Sequence, residues 1–321
     1  MPWLVRDVVR DINKAAGRRW QELDPLLPEP YDLAVSCAEP FVASGRGGRP
    51  AGFAVCRHDQ FPDNSLSQTW GTKSRFVLAI RLRDKDTRLA ADELIGQWRD
   101  HLAALPDAHK DDTSALVNWP SRDTSGVLAL LRHGLQAMTV LAARPAGRAT
   151  PAGGGVPAGV VIRPAVLTDL ASVGAMELGV IRYDEQFGGA FWRANTEDLI
   201  RTESRAALEN CSAWMWIAER SGQAVGLVTA LPPASSAWIA NMTRPAPAAY
   251  LSTMYVVPGE RGTGIAAALV RQVHAELDAH GVAVTLLHHS IVNPLSGPFW
   301  NRMGYRPLWT SWEARPAAAL R

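Results

Sequence analysis

The chain has 321 residues, 47% of them hydrophobic and 20% charged, with a formal net charge of +2. That length suits two domains of ordinary size, each able to bury its own core. The near-balanced charge argues against wholesale nucleic-acid binding, and no stretch is apolar for long enough to suggest a membrane partner.

Three scattered cysteines, Cys37, Cys56 and Cys211, form no C-x-x-C pair. This fits a reducing compartment better than a disulfide framework. Near the start, Leu4, Val5, Val8, Val9 and Ile12 share one helical face, and Arg6, Asp7, Arg10 and Asp11 the other. Those charges interrupt the apolar run that a signal peptide needs, so a cytoplasmic protein is expected. The eight histidines and the acids show no zinc or calcium spacing, so no metal is expected. Nothing in the pattern specifies an oligomeric state.

Taken in chain order, the first module reads as strands in YDLAVSC, GFAVC and RFVLAIRL. A helix follows with Leu94, Ile95, Trp98 and Leu102 on one face. SALVNW is a strand, TSGVLALLRH a short helix, and QAMTVLAA a last strand. Residues 144–159, RPAGRATPAGGGVPAG, lack any large apolar anchor and read as a flexible linker. The expected division is 1–143, linker 144–159, and 160–321.

Beyond the linker, VVIRPA is strand-like, and Thr168 and Asp169 offer a helix N-cap. A helical stretch runs from Phe191 towards Asn210. SAWMWIAER and GQAVGLVTAL form a hairpin about Ser221-Gly222. AYLSTMYVV is a strand, and residues 264–280 are a helix stopped by Gly281. VAVTLLHHS, PLSGPFWNRM and YRPLWTSWEA complete the order as strand, short helix and strand. The pattern is mixed α/β, and the first module repeats a weaker version of it, as an internal duplication would.

The most informative segment is VVPGERGTGIAAALV, where a strand ends at Pro258 and a helix begins after a glycine turn. Gly262 and Gly264 can turn successive N–H groups inward, and the new helix points its positive end at the same place. Arg261 adds a mobile positive charge. There is no third glycine for a dinucleotide fingerprint and no Lys-Ser/Thr pair for a P-loop. Downstream, in NPLSGPFWNRMGYRP, Asn293 precedes a short helix holding Phe299 and Trp300, which ends at Gly304-Tyr305.

Together, V-x-P, then R-x-x-G-x-A, then N…F-W…G-Y resembles the GNAT superfamily of acyl-CoA-dependent N-acyltransferases. The resemblance is specific over about residues 250–310 and general over 160–321. It implies two tandem GNAT-like domains, the first degenerate, with acetyl-CoA as donor and the amine of a small molecule as acceptor. Under it, Met254, Tyr255 and Val256 lie on the strand that splays from its neighbour and pairs with the pantetheine arm. The Val256 N–H faces the thioester carbonyl. Arg261, Gly262, Thr263, Gly264, Ile265 and Ala266 form the pyrophosphate loop, and Asn293 meets the cofactor's arm.

An attacking amine must lose a proton, and His288, five residues before Asn293, stands where relatives often carry a base. A structural histidine at the strand end is the competing reading. Trp300 replaces a tyrosine that in relatives protonates the leaving thiolate, and an indole cannot supply a proton; it is expected to pack against the cofactor. For the acceptor, Asp184 and Glu185 can attract an ammonium group, and Phe187, Phe191 and Trp192 can form an apolar wall, with Trp214, Trp216 and Trp238 as additions. The Pro- and Ala-rich 231–249 segment reads as a lid or a surface excursion. In the first module, Asp84 and Asp86 occupy the place of the phosphate loop, and Asp123 that of Asn293. Such charges repel a diphosphate. A non-catalytic acyl-CoA-binding or sensing protein would share every feature except the base.

Overall fold

A computed structural model describes residues 2–31, 33, 40–45, 49–83, 88–148 and 154–321. The YDLAVSC strand, Cys37, Asp84 and Asp86 lie wholly or largely outside them. The chain divides into two compact units that are not consecutive stretches. The first holds residues 1–63, 72–140 and 307–321; the second holds 64–71 and 141–306. The expected division is 1–143, 144–159 and 160–321; in the structure the second unit ends at Arg306, and the final strand packs in the first unit.

The first unit opens with helix α1 (Pro2–Leu23). Strands β1 (Phe41–Ala43), β2 (Gly52–Gln60) and β3 (Ser74–Leu82) pair antiparallel in succession. Helix α2 (Arg88–Ala103) then crosses to β4 (Thr113–Pro120), which runs parallel to β3. Leu94, Ile95, Trp98 and Leu102 of α2 are fully buried with Phe76 and Leu78 of β3, as their helical spacing predicts. Helix α3 (Val127–Arg132) leads to β5 (Gln136–Pro145), whose second half belongs to the second unit. The chain's last strand, β11 (Arg306–Ala314), pairs antiparallel with β4 through Trp309↔Pro120 to Ala314↔Ala115.

The second unit repeats one order of the first: three antiparallel strands, a helix, a parallel strand and a short helix. Strand β6 (Val160–Pro164) is followed by helices α4 (Leu170–Glu185) and α5 (Thr196–Asn210). Asp169 does not cap α4 with its side chain; its carboxylate takes Arg163 and the Val166 N–H instead. Strands β7 (Trp214–Arg220) and β8 (Gln223–Leu231) form the expected hairpin, with Ser221 and Gly222 both at positive φ. The short helix α6 (Ala237–Ala240) precedes β9 (Ala248–Val256). Then come helix α7 (Ile265–Ala279), strand β10 (Val284–Ser290) and helix α8 (Ser296–Arg302). The order β10-β9-β8-β7-β6 makes a mixed sheet in which only β9 and β10 run parallel.

The described part of 144–159 is not a free linker. Arg144 is 3% exposed and pairs with Asp278 of α7, and the Ala146 N–H bonds the Ala283 carbonyl at 2.9 Å. Arg271 donates to the Gly154 carbonyl at 2.7 Å. Composition alone misread this segment because two arginines, one within it and one on α7, supply the anchors.

Candidate functional site

Strand β9 is paired with β10 only from Ala248↔Val284 to Tyr250↔Leu286, and beyond that the two diverge. The cause is local to β9. Thr253 faces Thr229 of β8, but Leu251 faces Ala230, so Ser252 is an extra residue. Such a bulge bends its strand and increases the twist. The Val257 N–H reaches back to the Val225 carbonyl of β8. By strand alternation the N–H groups of Val256 and Met254 point the other way, into the gap. Tyr255 turns onto α4, where a β-carbon on Gly179 would lie 2.7 Å from its ring; the glycine lets helix and strand approach.

At the end of β9 the backbone turns through Gly262 at φ 79° and Gly264 at φ 92°. Both values lie where glycine is strongly favoured. Ala268 makes the first bond of α7, to the Gly264 carbonyl. The six main-chain N–H groups from Gly262 to Ala267 therefore have no acceptor among the described residues. Arg261 to Gly264 are exposed, Ile265 is buried and Ala266 half-buried. A β-carbon on Gly262 would meet nothing within 4 Å. Arg261 donates to the Val256 carbonyl at 3.2 Å and lies over the Tyr183 ring at 5.1 Å, while Thr263 donates to the Glu260 carbonyl at 2.7 Å. Open N–H groups at the head of a 15-residue helix, beside an arginine, fit a diphosphate.

At the mouth of the gap, the Tyr250 hydroxyl and His288 Nδ1 lie 3.0 Å apart, on the last paired residue of β9 and the strand end of β10. The surrounding protein, chiefly by desolvation and secondarily through His289, pushes the His288 pKa down to about 4, so the ring is neutral at pH 7. His288 is nevertheless an exposed residue, which limits that fall. Desolvation also raises the pKa of Tyr250. Trp238, 57% exposed, stands edge-on to Tyr250 at 5.0 Å. The 231–249 segment thus folds over this face.

Other expected residues are engaged elsewhere. Asn293 is 5% exposed; its carbonyl oxygen accepts the Leu295 and Ser296 N–H groups, and its amide donates to Asp184 at 3.1 Å. The side chain fixes the start of α8 and holds Asp184. Glu185 accepts the Trp192 N–H, and Trp192 lies under Arg182. Phe187 packs on Tyr183. Trp300 is 7% exposed and stacks edge-on with Phe299 and Tyr305. Trp214 packs on His280 and Trp216 is buried, so of the three extra tryptophans Trp238 is the one that packs on Tyr250, the partner of His288. Sequence reasoning missed Tyr250 and Ser290, whose relevance depends on pairing register.

The first unit has the same divergence, since β3 and β4 pair only from Ser74↔Thr113 to Val77↔Leu116. There the gap is filled. Arg19 and Trp20 of α1 join Ile80, Leu82, Asn118, Trp119 and Pro120 around a crevice of about 10 Å³, room for roughly one water. Arg19 forms a buried ion pair with Asp123.

A bulged strand thus splays from its neighbour and leads into a glycine-cradled helix head that is open to an anion. Residues 182–305 match the model of the acetyltransferase (GNAT) family. That part of the chain is a GNAT acetyltransferase domain, a family that uses an acyl-CoA donor. The whole chain is similar in fold to tandem GNAT structures. A GCN5-related N-acetyltransferase from Sphaerobacter thermophilus is 17% identical, with a TM-score of 0.53 over 99% of this chain and 94% of that one. A tandem GNAT protein from the clavulanic acid biosynthesis pathway is 15% identical, with a TM-score of 0.50 over 97% and 96%. No curated protein sequence matches the chain.

Proposed function

We propose that the protein transfers an acetyl group from acetyl-CoA to the amine of a small molecule by direct attack on the thioester. The observation that carries this reading is the run of six unpartnered N–H groups from Gly262 to Ala267, opening beside the β9–β10 gap. In this reading that loop and Arg261 hold the diphosphate. The main chain of Met254, Tyr255 and Val256 pairs with the pantetheine arm. The Val256 N–H stabilises the negative charge that develops on the thioester oxygen.

His288 takes the amine's proton. For that, its Nδ1–H donates to the Tyr250 oxygen, which leaves the Nε2 lone pair for the acceptor. Asn293 acts by holding Asp184 rather than by meeting the cofactor. Trp300 packs in the core, and the thiolate leaves without an assigned acid, its parent thiol having a pKa of about 8.5.

The buried Trp300 in place of a tyrosine also favours a second reading, an acyl-CoA-binding sensor without turnover. Purified protein with acetyl-CoA and a panel of primary amines separates the two. Release of free thiol that depends on the amine supports transfer. Calorimetric binding of CoA with no release across the panel supports the sensor. Absence of any heat with CoA or acetyl-CoA overturns both. Arg261→Ala should weaken CoA binding and lessen its salt dependence.

A further inference from the structure

The face of β10 that carries His288 continues two residues further to Ser290. Ser290 is 6% exposed, and its Oγ has no hydrogen-bond partner. A buried hydroxyl without a partner is unfavourable, and a bound donor would relieve that. Gly189 stands between this serine and Asp184. A β-carbon there would lie 3.6 Å from the Ser290 Cβ and 3.8 Å from the Asp184 Cβ. The two side chains therefore border one small space, which the missing glycine side chain leaves clear.

Asp184 accepts one bond, from the Asn293 amide to Oδ1. No other hydrogen bond or ion pair reaches its carboxylate among the described residues. Asn293 is itself held by its two bonds to the start of α8, so Asp184 is fixed in place with Oδ2 left over. Burial raises the pKa of Asp184, with the Asn293 bond opposing that rise. A partly desolvated carboxylate beside an unpartnered hydroxyl suits an ammonium group, which brings three donors and a positive charge.

We propose that Asp184 and Ser290 form a subsite for a second, cationic amino group of the acceptor, so that the preferred substrates are diamines. This rests on the transfer reading above, in which the first amine reacts beside His288. Two residues along a strand separate the two positions by about 7 Å, the reach of a spacer of roughly four to five carbons.

The test compares thiol release for α,ω-diamines of three to six carbons with the n-alkylamines of equal length. The expected result is a kcat/KM at least about tenfold higher for the four- or five-carbon diamine than for its monoamine. That ratio should fall towards one in Asp184→Asn, which keeps an acceptor for Asn293, and should shrink in Ser290→Ala. A wild-type ratio near one, or a ratio unchanged in both variants, overturns the subsite. Calorimetric titration of 1,4-diaminobutane and n-butylamine into CoA-loaded protein reads the subsite without turnover. Tighter diamine binding with no thiol release sinks the transfer reading and leaves the subsite; equal affinities sink the subsite.

Discussion

Replacing Gly264 tests the anion cradle where the chain enters α7. Gly264 sits at φ 92° and ψ −5°, where an L side chain costs about 1–2 kcal/mol. A β-carbon there meets only the Pro157 ring, at 3.7 Å, an ordinary contact. Gly264→Ala therefore carries the backbone cost without a clash. For a unit of this size that cost lowers the melting temperature by roughly 2–8 °C. Gly264→Glu carries the same cost and adds a carboxylate beside the N–H groups of Ile265 to Ala267. A negative charge about 5 Å from another, at an effective dielectric constant of about 20, is unfavourable by about 3 kcal/mol, on the order of 100-fold in affinity. The helix dipole acts in the other direction on the unliganded protein, because a carboxylate is welcome at a helix N-terminus. The glutamate variant should thus melt no lower than the alanine variant while binding CoA far more weakly. Calorimetry with CoA and thermal unfolding of the two variants read these opposed effects. Equal CoA affinities would refute the cradle, because the ligand would then not sense charge at that point.

His288→Ala should lower turnover more than it changes acetyl-CoA affinity, in steady-state kinetics set beside calorimetry; an unchanged rate removes His288 from the reaction. A second prediction concerns acid stability. His274 is 3% exposed and bonds the Tyr305 hydroxyl. Desolvation, with Arg144 second, lowers its pKa to about 3. The folded pKa is depressed, so the unfolded chain takes up the proton first. The stability linked to the neutral ring is whole above about pH 6.5 and drains away as pH falls towards 3, by up to about 1.4 kcal/mol per pH unit. In urea melts His274→Phe should flatten that slope, though not abolish it, since His288 is shifted the same way; an unaltered slope contradicts the assignment. In the first unit, Asp123→Ala leaves Arg19 buried and unpaired, so a loss of about 3–5 kcal/mol is expected in chemical unfolding. A loss below about 1 kcal/mol would show that the pair is not a buried tie.

Much of the second unit is legible in the residues themselves. The positive-φ glycines before α7, the Ser221-Gly222 hairpin and the Gly281 stop are all local backbone requirements. The apolar faces of α2 and α7 follow from a 3.6-residue period. The acceptor side is different. Asp184 and Glu185 look alike in sequence, yet one is held by Asn293, 109 residues away, and the other caps the Trp192 N–H. Residues 64–71 support this side too, because Arg193 donates to the Gln68 and Gly71 carbonyls. No periodicity encodes a contact of that range.

From the chain of letters alone come the order of most elements and the glycine turn at the head of α7, because each depends on neighbours within one turn or one strand. Tertiary structure decided the rest. It set the divergence of β9 from β10 at Ser252, the meeting of Tyr250 with His288, the plugging of the first gap by α1, and the place of residues 307–321 in the first unit. These depend on register and packing between distant segments, where one residue of slip would turn every side chain to the opposite face.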